Sequence, residues 1–213
     1  MYDYIFWDLD GTLTDSAPGI TKGAAYALSH FGIQVDDLSS LNKFVGPALS
    51  YSFKEFYGFD DNQTEEAIKK YREYYSVTGL FENAPYEGIK ELLETIKASG
   101  KKMIVATGKP EEFSKRILDK FELSQYFDML VGATMDESRN TKEAILAYAL
   151  EKLGNPEADK CVMIGDRKFD IIGAKENGIK SIGVLYGFGD LEELQNAGAD
   201  YIAENVSDIA KFL

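Results

Sequence analysis

Five short apolar runs, each continuous rather than alternating, constrain this chain more than any other feature: YIFWDL (4–9), KMIVAT (102–107), MLVGA (129–133), CVMIGD (161–166) and SIGVL (181–185). A strand that is apolar at successive positions has both faces covered, as in a parallel sheet sandwiched between helices. Helical patterns fill the intervals. Ile89, Leu92, Leu93 and Ile96 recur at helical spacing ahead of Gly100, and 111–121, 140–153, 170–177 and 190–197 read as helices too. The resulting β-α-β-α series predicts an α/β fold with a three-layer parallel-sheet core.

One interval breaks the rhythm. Residues 15–83 hold no strong strand run, yet they follow the first strand directly. Ser16 is placed to cap a helix with Pro18 in its first turn and Ile20, Ala24, Ala27, Leu28 and Phe31 along one face. Leu49, Phe53, Phe56 and Tyr57 line a second helix, and Thr64, followed by Glu65 and Glu66, starts a third that carries Ile68, Tyr71 and Tyr75. The chain therefore divides into a core of residues 1–14 and 84–213 and a small all-helical domain, 15–83, inserted after the first strand and rejoining it near FENAPYEG (81–88).

Composition narrows the partners. The net charge of −13 is spread along the chain and repels a polyanion, so no nucleic acid is expected. The basic and aromatic stretch YREYY (71–75) reads as helix packing with an exposed Arg72, not as a base-stacking platform. No apolar stretch approaches the roughly 18 residues that span a membrane, and the N-terminus shows no signal-peptide pattern. The one cysteine, Cys161, lies in an apolar run as an inert core thiol, which suits a reducing cytoplasm. The one histidine, His30, has no companion for a zinc site or a proton relay and reads as an ordinary helix residue.

Chemistry gathers at the ends of the strands. FWDLDGTLTDS (6–16) sets Asp8 and Asp10 on the same side of an extended segment, although like charges that close raise one another's pKa. In an open parallel sheet reactive groups collect outside the carboxyl ends of the strands. Asp8 and Asp10 follow the first run, Thr107 ends the second, Asp166 and Asp170 in GDRKFD follow the fourth, and Lys142 opens the helix after the third. A single D-x-D or GDxxxD also occurs in solvated loops and helix caps; the ordered set, each member at its own strand end, is what carries the signal.

DLDGT, a threonine closing the second strand, a downstream lysine and GDxxxD resemble the haloacid dehalogenase superfamily in its phosphatase branch, over the whole chain. DGTLTDSAPGI, KFVGPAL, YREYY, GLFEN, VATGKP and MIGDRKFDI more narrowly resemble bacterial 5'-nucleotidase-like enzymes near phosphoglycolate phosphatase. The resemblance implies a Rossmann-like core with 15–83 as its cap. It also implies a Mg²⁺-dependent phosphomonoester hydrolase working through an aspartyl-phosphate. Asp8 would be the nucleophile and Asp10 the general acid and base. The ion would be held by Asp8, the Asp10 main-chain carbonyl and Asp166, with Asp170 acting indirectly through water or Lys142. Thr107 and Lys142 would hold the phosphoryl oxygens, with Lys109 a competing lysine, and Gly108 stands where many relatives carry Ser or Asn. The expected partner is a small-molecule phosphomonoester such as a nucleoside 5'-monophosphate, with phosphoglycolate or a sugar phosphate as the alternative; oligomeric state is left open.

Other classes share parts of this pattern. Ile20 stands where the superfamily's sugar-phosphate mutases carry a histidine, and dehalogenases lack the second aspartate and the metal. A phosphoryl-accepting signalling module or a ligand-binding module would share the strand-end aspartate but would not turn over. In the loop KFVGPAL (43–49), Lys43 faces substrate in one reading and is a solvated charge beside cap core in the other.

Overall fold

The computed structural model describes residues 1–136 and 138–213. Six parallel strands form the central sheet: β1 (Tyr4–Trp7), β4 (Lys102–Pro110), β5 (Met129–Ala133), β6 (Cys161–Gly165), β7 (Lys180–Val184) and β8 (Tyr201–Ala203), in the order β5-β4-β1-β6-β7-β8. Tyr4, Ile5, Phe6 and Trp7 pair with Lys102, Met103, Ile104 and Val105 on one side and with Cys161, Val162, Met163 and Ile164 on the other. The continuous apolar runs have the expected cause. Ile5 and Trp7 face a core completed by α4 (Ile89–Ala98) and α5 (Glu111–Lys120). Phe6 faces the opposite core, built on α6 (Lys142–Lys152) and α7 (Lys168–Glu176). Both faces of β1 are thus removed from water.

The strand order reverses beside β1: β4 and β5 extend one way, β6 to β8 the other. A crevice opens at such a switch point, outside the carboxyl ends of β1 and β6.

The chain leaves and rejoins this core through a two-strand antiparallel ribbon, β2 (Thr14–Asp15) with β3 (Ala84–Pro85). Between them lie α1 (Ala17–His30), a 3-10 turn at Leu38–Phe44, α2 (Leu49–Tyr57) and α3 (Asp61–Tyr75). Leu41, Phe44, Phe53, Ala67 and Tyr71 bury the inner faces. Two expectations about caps are corrected. α3 starts before Thr64: Asp60 accepts from the Gln63 N–H at 2.9 Å while the Gln63 side chain accepts from the Asp60 N–H at 3.1 Å. That reciprocal pair satisfies two helix donors, so it fixes the start, and Thr64 is left to the buried face. Ser16 precedes α1 but makes no capping bond; Asp15 accepts the Ala17 N–H at 3.1 Å instead.

His30 ends α1 and meets Glu66 at 2.6 Å on the exposed surface. Cys161 is buried, and burial pushes its thiol up to about 11, the state of an unreactive sulfur. Among the described residues no helix is long and apolar enough to cross a membrane.

Candidate active site

Asp8 lies one residue past β1, its N–H bonded to the Ile164 carbonyl at 2.9 Å, so β1 and β6 fix its place at the mouth of the crevice. Asp166 lies one residue past β6, and Asp170 sits in the first turn of α7, where its Oδ2 accepts the Arg167 N–H at 3.1 Å. All three are buried, and each offers a carboxylate oxygen within 4.8 Å of the others. Lys142, the first residue of α6, points its ammonium into this group. It reaches Asp8 Oδ1 at 2.7 Å, Asp170 Oδ1 at 2.7 Å and the Ala106 carbonyl at 2.8 Å. Thr107, almost wholly buried, accepts the Lys109 N–H on its hydroxyl at 3.2 Å.

The electrostatics are those of a group of acids with too little positive charge. Burial pushes Asp8 up to about 6, opposed by Lys142 and reinforced by Asp170 and Asp10. Burial, with Asp170 and Asp8 adding to it, raises Asp166 well above the usual carboxylate range. For Lys142, burial disfavours the ammonium, but Asp170 and Asp8 outweigh it and keep the lysine charged. Thr12 donates to Asp166 Oδ1 at 3.1 Å and the Phe188 N–H to Oδ2 at 2.8 Å, which orients that carboxylate without cancelling its charge.

Asp10 is held apart from this group. Its Oδ2 accepts from the Lys109 ammonium at 2.6 Å, and its Oδ1 is buried without a partner. Lys109 reaches it because β4 is irregular. Thr107 pairs with Gly132 and Pro110 with Ala133, so Gly108 and Lys109 are looped out as a bulge. Gly132 makes room: a Cβ there would lie 2.6 Å from the Lys109 carbonyl.

Gly11 follows Asp10 at φ +84°, and a Cβ on it would lie 2.2 Å from Asp166 Oδ2. Gly11→Ala is expected to lower kcat/KM at least ~10²-fold, because the added Cβ would push the Asp166 carboxylate out of place and a misplacement of about 1 Å in a site costs that much. Steady-state rates beside a melting curve would check it.

The cap domain covers the site. A cavity of about 70 Å³ is lined by Asp10, Lys109 and Gly108 from the core and by Phe44, Tyr71, Arg72 and Tyr75 from the cap. A cleft of about 280 Å³ adjoins it, with Lys142, Tyr51 and Phe169 in its wall. Gly108 lines both spaces, and a Cβ there would meet the Gly46 carbonyl at 3.3 Å. Arg167 donates to the Val45 carbonyl at 2.6 Å while pairing with Glu193 at 2.9 Å, tying the 43–49 loop down. Lys43 lies over the Phe56 and Tyr57 rings at 4.7 and 5.2 Å and lines neither space. Arg72 is half-buried and donates to the Met135 carbonyl at 3.2 Å, so it bridges to the core where the sequence suggested simple exposure.

The structure therefore brings Asp8, Asp10, Thr107, Lys142, Asp166 and Asp170 to one crevice, with Gly108 at its edge. Lys109 and Lys142 both enter it, each with its own carboxylate. Thr12 and Arg167 escaped the sequence reading. Thr12 sits inside DLDGT and Arg167 inside GDRKFD, so position in a motif was the only signal available.

Comparison with known proteins agrees with this geometry. Residues 5–184 match the family described as "Haloacid dehalogenase-like hydrolase". A 5'-nucleotidase of Pseudomonas aeruginosa is 43% identical over 194 residues, 91% of this chain and 87% of that protein. Tyrosine-protein kinase PtkA of Mycobacterium tuberculosis is 39% identical over 185 residues, 87% of this chain but 62% of its own length. The crystal structure of a predicted phosphatase from Clostridium acetobutylicum superposes with a TM-score of 0.97 at 53% identity, covering 100% of this chain and 98% of the other. The chain belongs to the haloacid dehalogenase-like hydrolases, in their phosphatase branch.

Proposed function

We propose that this hydrolase is a Mg²⁺-dependent phosphomonoesterase that works through an aspartyl-phosphate on Asp8, with a nucleoside 5'-monophosphate as its substrate. The observation that carries the proposal is the convergence of Asp8, Asp166, Asp170, Lys142 and Thr107 in one buried crevice at the switch point of the sheet.

The residues fit the ion. Three buried carboxylates supply hard oxygen donors, and the single ammonium among them leaves negative charge uncompensated. Asp8, Asp166 and the Asp10 main-chain carbonyl would hold it, with Asp170 behind them. Once bound, Mg²⁺ would neutralise charge on the phosphoryl group and among the acids.

The chain's own groups supply the remaining steps. Lys142 holds Asp8 Oδ1, which keeps the carboxylate ionised and aimed for attack on phosphorus. The Thr107 hydroxyl accepts from Lys109 and keeps its own proton to donate to a phosphoryl oxygen. Asp10 sits on the cap side, where it would give a proton to the departing alcohol and then take one from the attacking water. The closed cap keeps bulk water away from the phosphorylated aspartate.

The aromatic walls of the larger cleft, Tyr51 and Phe169, support a nucleobase there. The smaller cavity, at about 70 Å³, favours a second reading in which the leaving group is glycolate or a sugar. The test is phosphate release from a panel of nucleoside monophosphates, phosphoglycolate and hexose phosphates with Mg²⁺, ranked by kcat/KM. Repeated turnover is expected; phosphorylation that stops after one equivalent would instead mark a signalling module. Asp10→Asn is expected to lower kcat/KM for alkyl phosphates by ~10²–10⁴-fold and to spare p-nitrophenyl phosphate far more, since that leaving group departs without a proton.

A further inference from the structure

We propose that Lys109 is a positioning residue that holds Asp10 for proton transfer, and that the Tyr75 ring of the cap keeps Lys109 in place. Closing the cap and placing the acid are then one event. The inference rests on the phosphatase reading above.

Three segments meet at this point. Lys109 comes from the β4 bulge, Asp10 from the turn after β1, and Tyr75 from the last turn of α3 in the cap. The Lys109 and Asp10 side chains are only 5% and 9% exposed, and the ammonium lies 4.9 Å from the centre of the Tyr75 ring. Tyr75 is braced by Tyr71, stacked on it at 5.0 Å, and by Phe113 of the core, edge-on at 5.9 Å. An ammonium shielded from water in this way keeps its carboxylate partner and the aromatic face as its main attractions.

Fixing Oδ2 leaves Asp10 Oδ1 as the free oxygen. It is buried and unpartnered on a residue that lines the cavity between cap and core. With the proton on Oδ1, Asp10 would hand it to the leaving oxygen as the P–O bond breaks, while Oδ2 stays on the Lys109 ammonium, and the emptied Oδ1 would then take a proton from the attacking water. If the Tyr75 ring moved away, water would reach the ammonium and Asp10 could change rotamer. Lys142 offers the contrast: its partners Asp8, Asp170 and the Ala106 carbonyl all belong to the core, so its geometry does not depend on the cap. The two lysines divide the site, one serving the nucleophile and the other the acid.

The test compares two substrates of similar size. p-Nitrophenyl phosphate releases a stable anion, whereas benzyl phosphate needs a proton on its leaving oxygen, and kcat/KM reports the first phosphoryl transfer for both. Lys109→Met is expected to lower kcat/KM for benzyl phosphate by ~10²-fold and for p-nitrophenyl phosphate by less than about 3-fold. Tyr75→Leu, which removes the ring face, is expected to show the same selectivity at roughly 10-fold. Melting curves accompany both variants. Equal losses on the two substrates, or a Tyr75→Leu protein with wild-type selectivity, would overturn the coupling. Absence of turnover by the wild-type protein on both substrates and on every member of the phosphomonoester panel would defeat the phosphatase reading instead.

Discussion

Asp8→Asn protein is expected to release no phosphate above background from any phosphomonoester, a fall in kcat of about 10⁴-fold or more. The size of the effect follows from the role assigned. An amide oxygen is a poor nucleophile, and none of the other acids in the crevice is placed to replace it. Asp166 has both oxygens engaged, by Thr12 and Phe188. Asp170 caps its own helix with Oδ2 and faces Lys142 with Oδ1. Asp10 is turned toward Lys109. The substitution leaves the fold intact, because Lys142 retains Asp170 and the Ala106 carbonyl as partners and one buried like charge is removed. A melting temperature within about 5 °C of wild type should therefore accompany the loss. Residual turnover within 10² of wild type would exclude an aspartyl-phosphate at this position.

The strand-end residues of the candidate site and the sheet were legible for the same reason. Burial on both faces makes a strand apolar at every position, and the residue that ends such a run stands out when it is Asp or Thr, as Asp8, Thr107 and Asp166 do. β8 carried no such signal: Tyr-Ile-Ala at the sheet edge has one neighbour, β7, and is only partly buried. The two-residue ribbon of β2 and β3 is too short for any periodicity to show. Asp60 and Gln63 did have the spacing of a capping box, but Thr64 with two following acids offered a competing start. Lys109 is the instructive case. Its nearness to Thr107 was visible, yet its direction depends on a bulge against Gly132, a residue 23 positions on, and on a ring from the cap. Pairing register across a sheet is a tertiary property, and single-chain spacing does not encode it.

Removing the metal should be read first in stability and only then in rate. In chelator, melting temperature is expected to fall as pH rises from about 4 toward 7. Asp8 titrates near 6 in the folded protein without an ion, against an ordinary value of 3.8. Between those values the unfolded chain has released the proton and the folded chain still holds it. The folded state therefore binds more protons, and stability declines with pH across that window. Asp166, raised in the same direction, extends the decline. Lys142 stays charged throughout and does not oppose it. On the proposed site Mg²⁺ would bind the ionised acids, so it should raise the melting temperature more at pH 7.5 than at pH 5 and should restore turnover that chelation lowers by about 10³-fold or more. Asp166→Asn, with one buried carboxylate fewer, should melt higher than wild type in chelator and lose most of its response to Mg²⁺. A metal-free stability that is flat or rising across the window, or an Asp166→Asn protein that Mg²⁺ stabilises as fully as wild type, would mean that the crowded carboxylates are not there for a cation.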